Sequence, residues 1–141
     1  MGFTLKVDGP EPIEIGSDRI ITAGFAVNVP VDSNARSTDV GADMVVKGKI
    51  LTTVEGSEED VSVKLAKWSL VSATEADCYR CLKVDVVSAG KMVRKYELPS
   101  AFVVSYEEHF GSDEGEGNFT MIVRQKKDKV DKTKVSGGYG V

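Results

Sequence analysis

The chain has 141 residues, of which 41% are hydrophobic, enough to build one domain with a real core. Its net charge of -4 argues against a general nucleic-acid binder, whose affinity depends on a surplus of Lys and Arg. No stretch approaches the roughly 18 apolar residues of a membrane span, and the first residues do not have the pattern of a secretory signal. We therefore expect a protein that is made and folded in the cytoplasm and does not insert into a membrane.

Strand patterns fill most of the first half. Residues 3–7 alternate apolar and polar up to a turn at residues 8–10, and residues 19–29 alternate again, with an apolar face from Ile21 to Val29. The segment 30–41 is polar and too long for a tight hairpin. A third strand is predicted over residues 44–54, whereas residues 11–15 receive no assignment.

One helix is predicted after the third strand. Ser57 is a suitable N-cap, and the three acidic residues that follow it favour the positive end of a helix dipole. Val61, Leu65 and Trp68 then recur at helical spacing and form one apolar stripe. We expect this stripe to pack against the β-structure.

The second half reads as four consecutive strands. Residues 82–87 alternate, a turn follows at 88–91, and a strand over 92–98 is predicted to stop at Pro99-Ser100. Two more strands, over 101–106 and 118–124, flank a Gly-rich acidic loop. The predicted fold is mainly β, a small antiparallel β-barrel or sandwich with one flanking α-helix. Residues 1–130 form the domain, and residues 131–141 are a flexible charged and Gly-rich C-terminal tail.

The candidate chemical sites are few. Cys78 and Cys81 have C-x-x-C spacing, but a zinc site needs two further ligands and the chain offers only His109. A lone histidine without a nearby nucleophile does not indicate a general base, and the acidic loop lacks the EF-hand spacing. The sequence therefore predicts no catalytic residue, no metal and no cofactor, and the chain is not expected to be an enzyme.

The order of elements resembles the tube proteins of contractile injection systems, in particular the Hcp tube protein of type VI secretion and the related phage tail-tube proteins. The local likeness covers about residues 80–127. It consists of the alternating strand 82–87, the Gly turn, a strand with Tyr96-x-Leu98 and a later Ser105-Tyr106, a Gly-rich loop and a final strand that begins at Phe119. The first half matches only by order of elements.

The resemblance implies a structural role: six-subunit rings that stack into a hollow tube. It also implies sheath and baseplate proteins as further partners, and either ejection of the tube or a place in an extracellular particle. It also implies that the long loop packs on a neighbouring subunit or ring. The candidate interface residues in that loop are Asp32, Ser33, Asn34, Arg36, Ser37, Thr38 and Asp39. The alternative is a small β-barrel adaptor or ligand-binding module.

Two oppositely charged segments are candidates for contacts between stacked rings. The acidic one is Asp113, Glu114 and Glu116, and the basic one is Arg124, Lys126, Lys127 and Lys129. Opposite charges on opposite faces of a ring would steer and align the next ring. The alternative is that both segments are simply solvated ends of the domain.

Overall fold

The computed structural model describes residues 1–28, 41–51, 61–112 and 116–138. Within these ranges the chain forms mostly β-strands, with one α-helix and two short 3-10 helices at Ala76–Cys78 and Lys127–Lys132. The remaining elements are β1 Gly2–Val7, β2 Ile13–Ile15, β3 Ile20–Asn28, β4 Gly41–Leu51, α1 Ser62–Ser69, β5 Arg80–Ser88, β6 Lys91–Phe110, β7 Glu116–Gln125 and β8 Lys134–Gly137. The predicted class, mainly β with one flanking helix, is confirmed.

All the strands belong to one antiparallel sheet. Its order is β2-β1-β5-β6-β7-β4-β3, and β8 pairs with β6 outside this path. The sheet curls so that β1 approaches β3. Phe25 of β3 stacks on Tyr96 of β6 with ring centroids 4.9 Å apart. The curled sheet thus encloses a core and makes a small, incompletely closed barrel.

Alternation along the strands fills this core. Val46 and Met44 of β4 and Phe119 and Met121 of β7 are fully buried, as period 2 requires for strands with one inward face. Gly48 lies opposite Phe119, and its missing side chain leaves room for the aromatic ring: a Cβ there would meet the ring at 2.5 Å. The core is therefore tightly fitted at this position.

Helix α1 covers one flank of the core. Leu65 and Trp68 are buried, and Val61, directly before the first helical residue, is half-buried against the same cluster. The Trp68 Nε1–H donates a hydrogen bond of 2.9 Å to the Cys78 carbonyl. The described helix begins at Ser62 with Val61 at the N-cap position, and the predicted N-cap Ser57 and the acidic residues 58–60 lie outside the described residues.

Strand β6 continues through the predicted break at Pro99-Ser100, so that prediction was wrong. Pairing with β5 skips one residue of β6 between Leu98 and Ala101, which makes a β-bulge. The Ser100 N–H bonds to Gln125 Oε1 at 3.1 Å. A proline is tolerated at a bulge because no ladder hydrogen bond is lost there. Strand β5 pairs with one edge of β6 up to Ala101, and β7 pairs with the opposite edge from Ala101 onward.

Three further segments differ from expectation. Residues 13–15, which had no assignment, form β2 and pair with β1. Ile21 lies at a register shift of β3 and is 46% exposed, so the inward face of this strand consists of Ile20, Ala23 and Phe25. Lys134–Gly137, within the predicted flexible tail, forms β8 because the edge of β6 beside it is open for pairing. The division of the chain into domain and tail stays a prediction.

Candidate subunit interface

Strand β3 presents a long free edge. It is the last strand in the order, paired on one side with β4 and with no partner strand on the other side in the described part of the chain. None of its nine residues, Ile20–Asn28, carries a charge or is a proline. Soluble proteins usually protect such edges with charges, prolines or covering loops. An uncharged edge of this length is a template for pairing with another strand.

A second open edge belongs to the C-terminal half of β6. Residues 101–110 pair with β7, but pairing with β5 ends at Ala101. Over the described ranges, no strand pairs with the other edge of residues 102–110. Helix α1 lies beside this region, where the Tyr106 hydroxyl donates to the Ser62 carbonyl at 3.4 Å. Among the residues that the structure describes, the four strands β6, β7, β4 and β3 therefore form a sheet without a paired strand at either outer edge.

An apolar cleft accompanies the open edge of β6. It has a volume of about 130 Å³ and is lined by Trp68, Tyr79, Phe102 and Val103, among others. The rings of Tyr79 and Phe102 meet edge to face at 5.9 Å. This cleft adds accessible apolar surface directly beside unpaired backbone groups.

Arg124, predicted to belong to a basic stacking face, is engaged within its own subunit. Its Nε donates to Asp43 Oδ1 at 2.8 Å and its guanidinium reaches Asp43 Oδ2 at 3.3 Å, across the β4–β7 pair. The hydrogen bond to Asp43 raises the pKa of Arg124. This cation is therefore largely neutralised by its own subunit.

The three predicted lysines lie at the start of the segment that follows β7. Lys126 Nζ is 3.9 Å from Asp128 Oδ2 and 5.0 Å from the Tyr79 ring centroid. Lys127 and Lys129 belong to the 3-10 helix, and the Lys129 carbonyl accepts a bond of 3.1 Å from Gln125 Nε2. Arg124 and Lys126 each have an acidic side chain within 4 Å in their own subunit, and the role of the four basic residues in stacking stays a prediction.

The other predicted interface residues lie where the structure describes little or nothing. Residues 32–39 and the acidic pair Asp113 and Glu114 are outside the described residues. Glu116 is the first residue of β7, and only its backbone is described. Contacts of the long loop and of the acidic loop stay predictions.

Charged residues that the sequence pattern did not single out form a row on the outer side of the sheet. Strand register places Lys6 beside Lys83, and Lys83 beside Glu97. Glu14 ends the row at β2, where its Oε1 is 4.0 Å from Lys6 Nζ, and Lys134 ends it at β8, where its Nζ is 4.0 Å from Glu97 Oε2. Only the strand order, which the sequence does not reveal, brings these residues together.

The cysteine and histidine positions do not assemble into a reaction centre among the described residues. Cys78 is buried, while Cys81 lies on the outer side with its Sγ 3.7 Å from Glu97 Oε1. Burial, followed by the Glu97 carboxylate, raises the pKa of the Cys81 thiol and so disfavours the reactive thiolate. His109 is an exposed neighbour of Glu107 at 3.6 Å. No group of three potential metal ligands occurs in the described ranges.

In the same ranges, no helix combines the length and the apolar character needed to cross a bilayer.

The fold, a curled antiparallel sheet with one flanking helix, is similar to that of Hcp and of chains in contractile injection particles. Hcp1 from Flavobacterium johnsoniae is similar with a TM-score of 0.57 at 15% identity, over 98% of this chain and 97% of that chain. The resemblance found in the sequence is therefore confirmed at the level of the fold.

Two cryo-EM structures of injection particles contain similar chains. One is the anti-feeding prophage baseplate, with a TM-score of 0.56 at 13% identity over 96% of this chain and 92% of that chain. The other is the sheath-tube complex of the extracellular contractile injection system PVC, with a TM-score of 0.52 at 10% identity over 96% and 88%. No protein-family model and no curated protein matches the sequence.

Proposed function

We propose that this protein is a structural tube subunit whose copies join edge to edge into rings, six to a ring as the resemblance implies, and that the rings stack into a hollow tube. The observation that carries the proposal is the four-stranded part β6-β7-β4-β3, which within the described ranges has one unpaired edge on each side. When one edge of each copy repeatedly meets the other edge of the next copy, the contact is head-to-tail, and a ring forms when the rotation between copies closes.

The strand directions fit this pairing. Neighbouring strands of the four-stranded part are antiparallel, so β3 runs opposite to β6. Rotation about a ring axis that runs roughly along the strands keeps the strand directions, and β3 of one copy then meets β6 of the next in antiparallel fashion. Antiparallel pairing continues the ladder without a change of pattern. The apolar cleft beside residues 102 and 103 would be covered in the same step.

The proposed partners are thus further copies of the same chain, and by analogy with the similar structures sheath and baseplate proteins. Such a role needs no catalysis, since its chemistry is complementarity between surfaces. We propose synthesis and assembly in the cytoplasm, with later ejection or a place in an extracellular particle.

The ligand-binding alternative is less well supported. Ligand pockets have volumes of roughly 300 to 1,000 Å³. The cleft beside Trp68 measures about 130 Å³ and lies below this range. A second cleft measures about 370 Å³, but its lining is mostly charged (Glu11, Lys64, Lys67, Asp77 and Arg80), whereas ligand pockets are lined mainly by apolar and aromatic side chains.

The edge of β3 provides the decisive experiment. Thr22→Lys together with Ala26→Lys places two charges on exposed positions of this strand, and lysines on an edge oppose strand pairing. We expect the variant to remain a folded monomer by circular dichroism and analytical ultracentrifugation, while the unmodified protein forms rings or tubes in negative-stain micrographs.

Asn118→Lys is the control, because it adds one exposed lysine, against two in the β3 variant, to β7, which is paired on both sides. This control should still assemble. Rings formed by the Thr22→Lys, Ala26→Lys variant, or a monomeric unmodified protein at high concentration, would contradict the proposal.

A further inference from the structure

The C-terminal arm, residues 126–138, ends in a strand that adds little to its own barrel. All four residues of β8 are exposed, and Val135, its one large apolar residue, is 51% exposed. The strand pairs only with the short edge from Arg94 to Glu97 of β6. Because β8 buries so little surface, its detachment should leave the core unchanged.

The edge that receives β8 is nevertheless specific for this sequence. Gly137 has a φ of 127°, and a Cβ at this position would meet the Val93 carbonyl oxygen at 2.4 Å. The Gly138 N–H donates to the same carbonyl at 2.9 Å. Val135 lies opposite Tyr96, and Lys134 lies opposite Glu97. The acceptor edge thus fits an extended Lys-Val-Ser-Gly segment with glycine at one fixed place.

The connection between β7 and β8 is suited to act as a hinge. None of the residues of the 3-10 helix Lys127–Lys132 is buried, and its regular geometry is interrupted at Lys129, with φ of -123° and ψ of 20°. Two hydrogen bonds tie the start of the arm to the barrel: the Gln125 side-chain amide donates to the Lys129 carbonyl, and the Lys126 N–H donates to the Ser100 carbonyl. The residues 126–133 would span about 27 Å if fully extended, which is close to the width of a small domain.

Charge favours the encounter of an arm with another copy. The arm contains five lysines and two aspartates, a net charge of +3, whereas residues 1–125 carry 13 basic and 20 acidic residues, a net charge of -7. The close spacing of the lysines also favours an extended linker over a compact one. A positive arm is therefore attracted to the negative body of its neighbour.

We infer that β8 is exchanged between copies: in the assembly, the C-terminal strand of one subunit occupies the Arg94–Glu97 edge of the next subunit. The exchanged strand makes the same contacts as in one chain, so exchange links two subunits without a new interface chemistry. This inference rests on the proposed function, because assembly supplies the neighbouring copy.

Cross-linking between two marked copies tests the exchange. Lys95 and Ser136 are direct partners in the β6–β8 pair. One copy carries Lys95→Cys and the other, with a larger affinity tag, carries Ser136→Cys; both also carry Cys81→Ser to remove the half-buried native thiol. The copies are co-expressed, and a short bis-maleimide joins neighbouring thiols. Exchange predicts a covalent heterodimer, because neither copy can form this link by itself.

Two glycine variants in the copy with Ser136→Cys supply the matched control. Gly137→Ala places a methyl group against the Val93 carbonyl and should reduce the heterodimer at least fivefold. Gly138→Ala also alters a glycine with positive φ, of 102°, but its new methyl group meets nothing within 4 Å. The heterodimer should persist with Gly138→Ala.

The outcomes separate the two proposals. Rings or tubes without the heterodimer, together with efficient intrachain linkage in a Lys95→Cys, Ser136→Cys double variant, overturn the exchange and leave the proposed function intact. A heterodimer in a protein that forms no rings supports the exchange and overturns the proposed function. A monomer without the heterodimer overturns both, and an equal yield with Gly137→Ala overturns the exchange.

Discussion

Trp68→Ala and Trp68→Phe measure how firmly helix α1 is fixed to the barrel. The indole is 2% exposed, its Nε1–H donates to the Cys78 carbonyl, and the Arg80 guanidinium lies 5.5 Å from its ring centroid. A buried tryptophan removes about 200 Å² from water, which at about 25 cal/mol per Å² corresponds to about 5 kcal/mol. Truncation to alanine should therefore cost about 3 to 5 kcal/mol of the free energy of unfolding.

The phenylalanine variant separates packing from hydrogen bonding. It keeps most of the apolar contact but leaves the Cys78 carbonyl without its donor, which should cost about 1 to 3 kcal/mol. Urea titrations followed by far-ultraviolet circular dichroism, at a protein concentration where the chain is monomeric, give both values. Val63→Ala is a suitable control, because Val63 is an exposed residue of the same helix, and its effect should stay within about 0.5 kcal/mol.

The fluorescence of the unmodified protein tests the premise directly. Trp68 is the only tryptophan of the chain. If it is buried as the structure indicates, its emission is blue-shifted and resists quenching by acrylamide until the protein unfolds. Emission at the wavelength of free indole in the native state, or a loss below 1 kcal/mol for Trp68→Ala, would refute the packing argument.

Three further results are expected. Gly48→Ala should lower the free energy of unfolding by about 1 to 3 kcal/mol, because its Cβ would clash with the Phe119 ring. Gly24→Ala is the control, since open space surrounds Gly24, and it should change the free energy of unfolding by less than about 0.5 kcal/mol. Equal effects of the two substitutions in urea titrations would contradict this expectation. A double-mutant cycle of Arg124→Ala and Asp43→Ala should give a coupling of about 0.2 to 1 kcal/mol, because the pair is partly exposed, and a coupling unchanged in 1 M NaCl would argue against an ionic contact. Cys81 should react with iodoacetamide at pH 8.5 more slowly in the native than in the unfolded protein, since burial and Glu97 raise the thiol pKa and reduce the thiolate fraction. Glu97→Gln should speed the reaction of the native protein, which peptide mass spectrometry measures. An unchanged rate would exclude the Glu97 carboxylate as a cause.

The period of the apolar residues was sufficient to predict most strands and the helix stripe. Alternation at residues 82, 84 and 86 marks β5, and the spacing of Leu65 and Trp68 marks the buried side of α1, because these periods follow from backbone geometry alone. The order of these elements also carried the resemblance to tube proteins, which the fold confirms. Local pattern and element order thus determine the class of the fold.

The local sequence did not determine where the strands have bulges and register shifts. Pro99 looks like a strand end in the sequence, but the strand continues because Gln125 of β7 supplies an acceptor for the Ser100 N–H beside it. Ile21 continues the apolar alternation in the sequence, but a register shift against β4 turns it outward. In both cases the neighbouring strand, distant in sequence, determines the outcome.

The candidate interface depended even more on tertiary structure. The sequence identified charged residues but not their partners. Arg124 bonds to Asp43, which is 81 positions away in the chain but lies on the neighbouring strand, and Lys134 lies near Glu97 because β8 pairs with β6. The free edges of β3 and β6 follow from the strand order, which no local pattern encodes. The sequence by itself determined most of the segments that become strands, because the apolar period follows from the backbone geometry of each segment. Only the tertiary structure decided the short strands β2 and β8 and which edges stay open, because a strand edge is paired or unpaired by its neighbours in space.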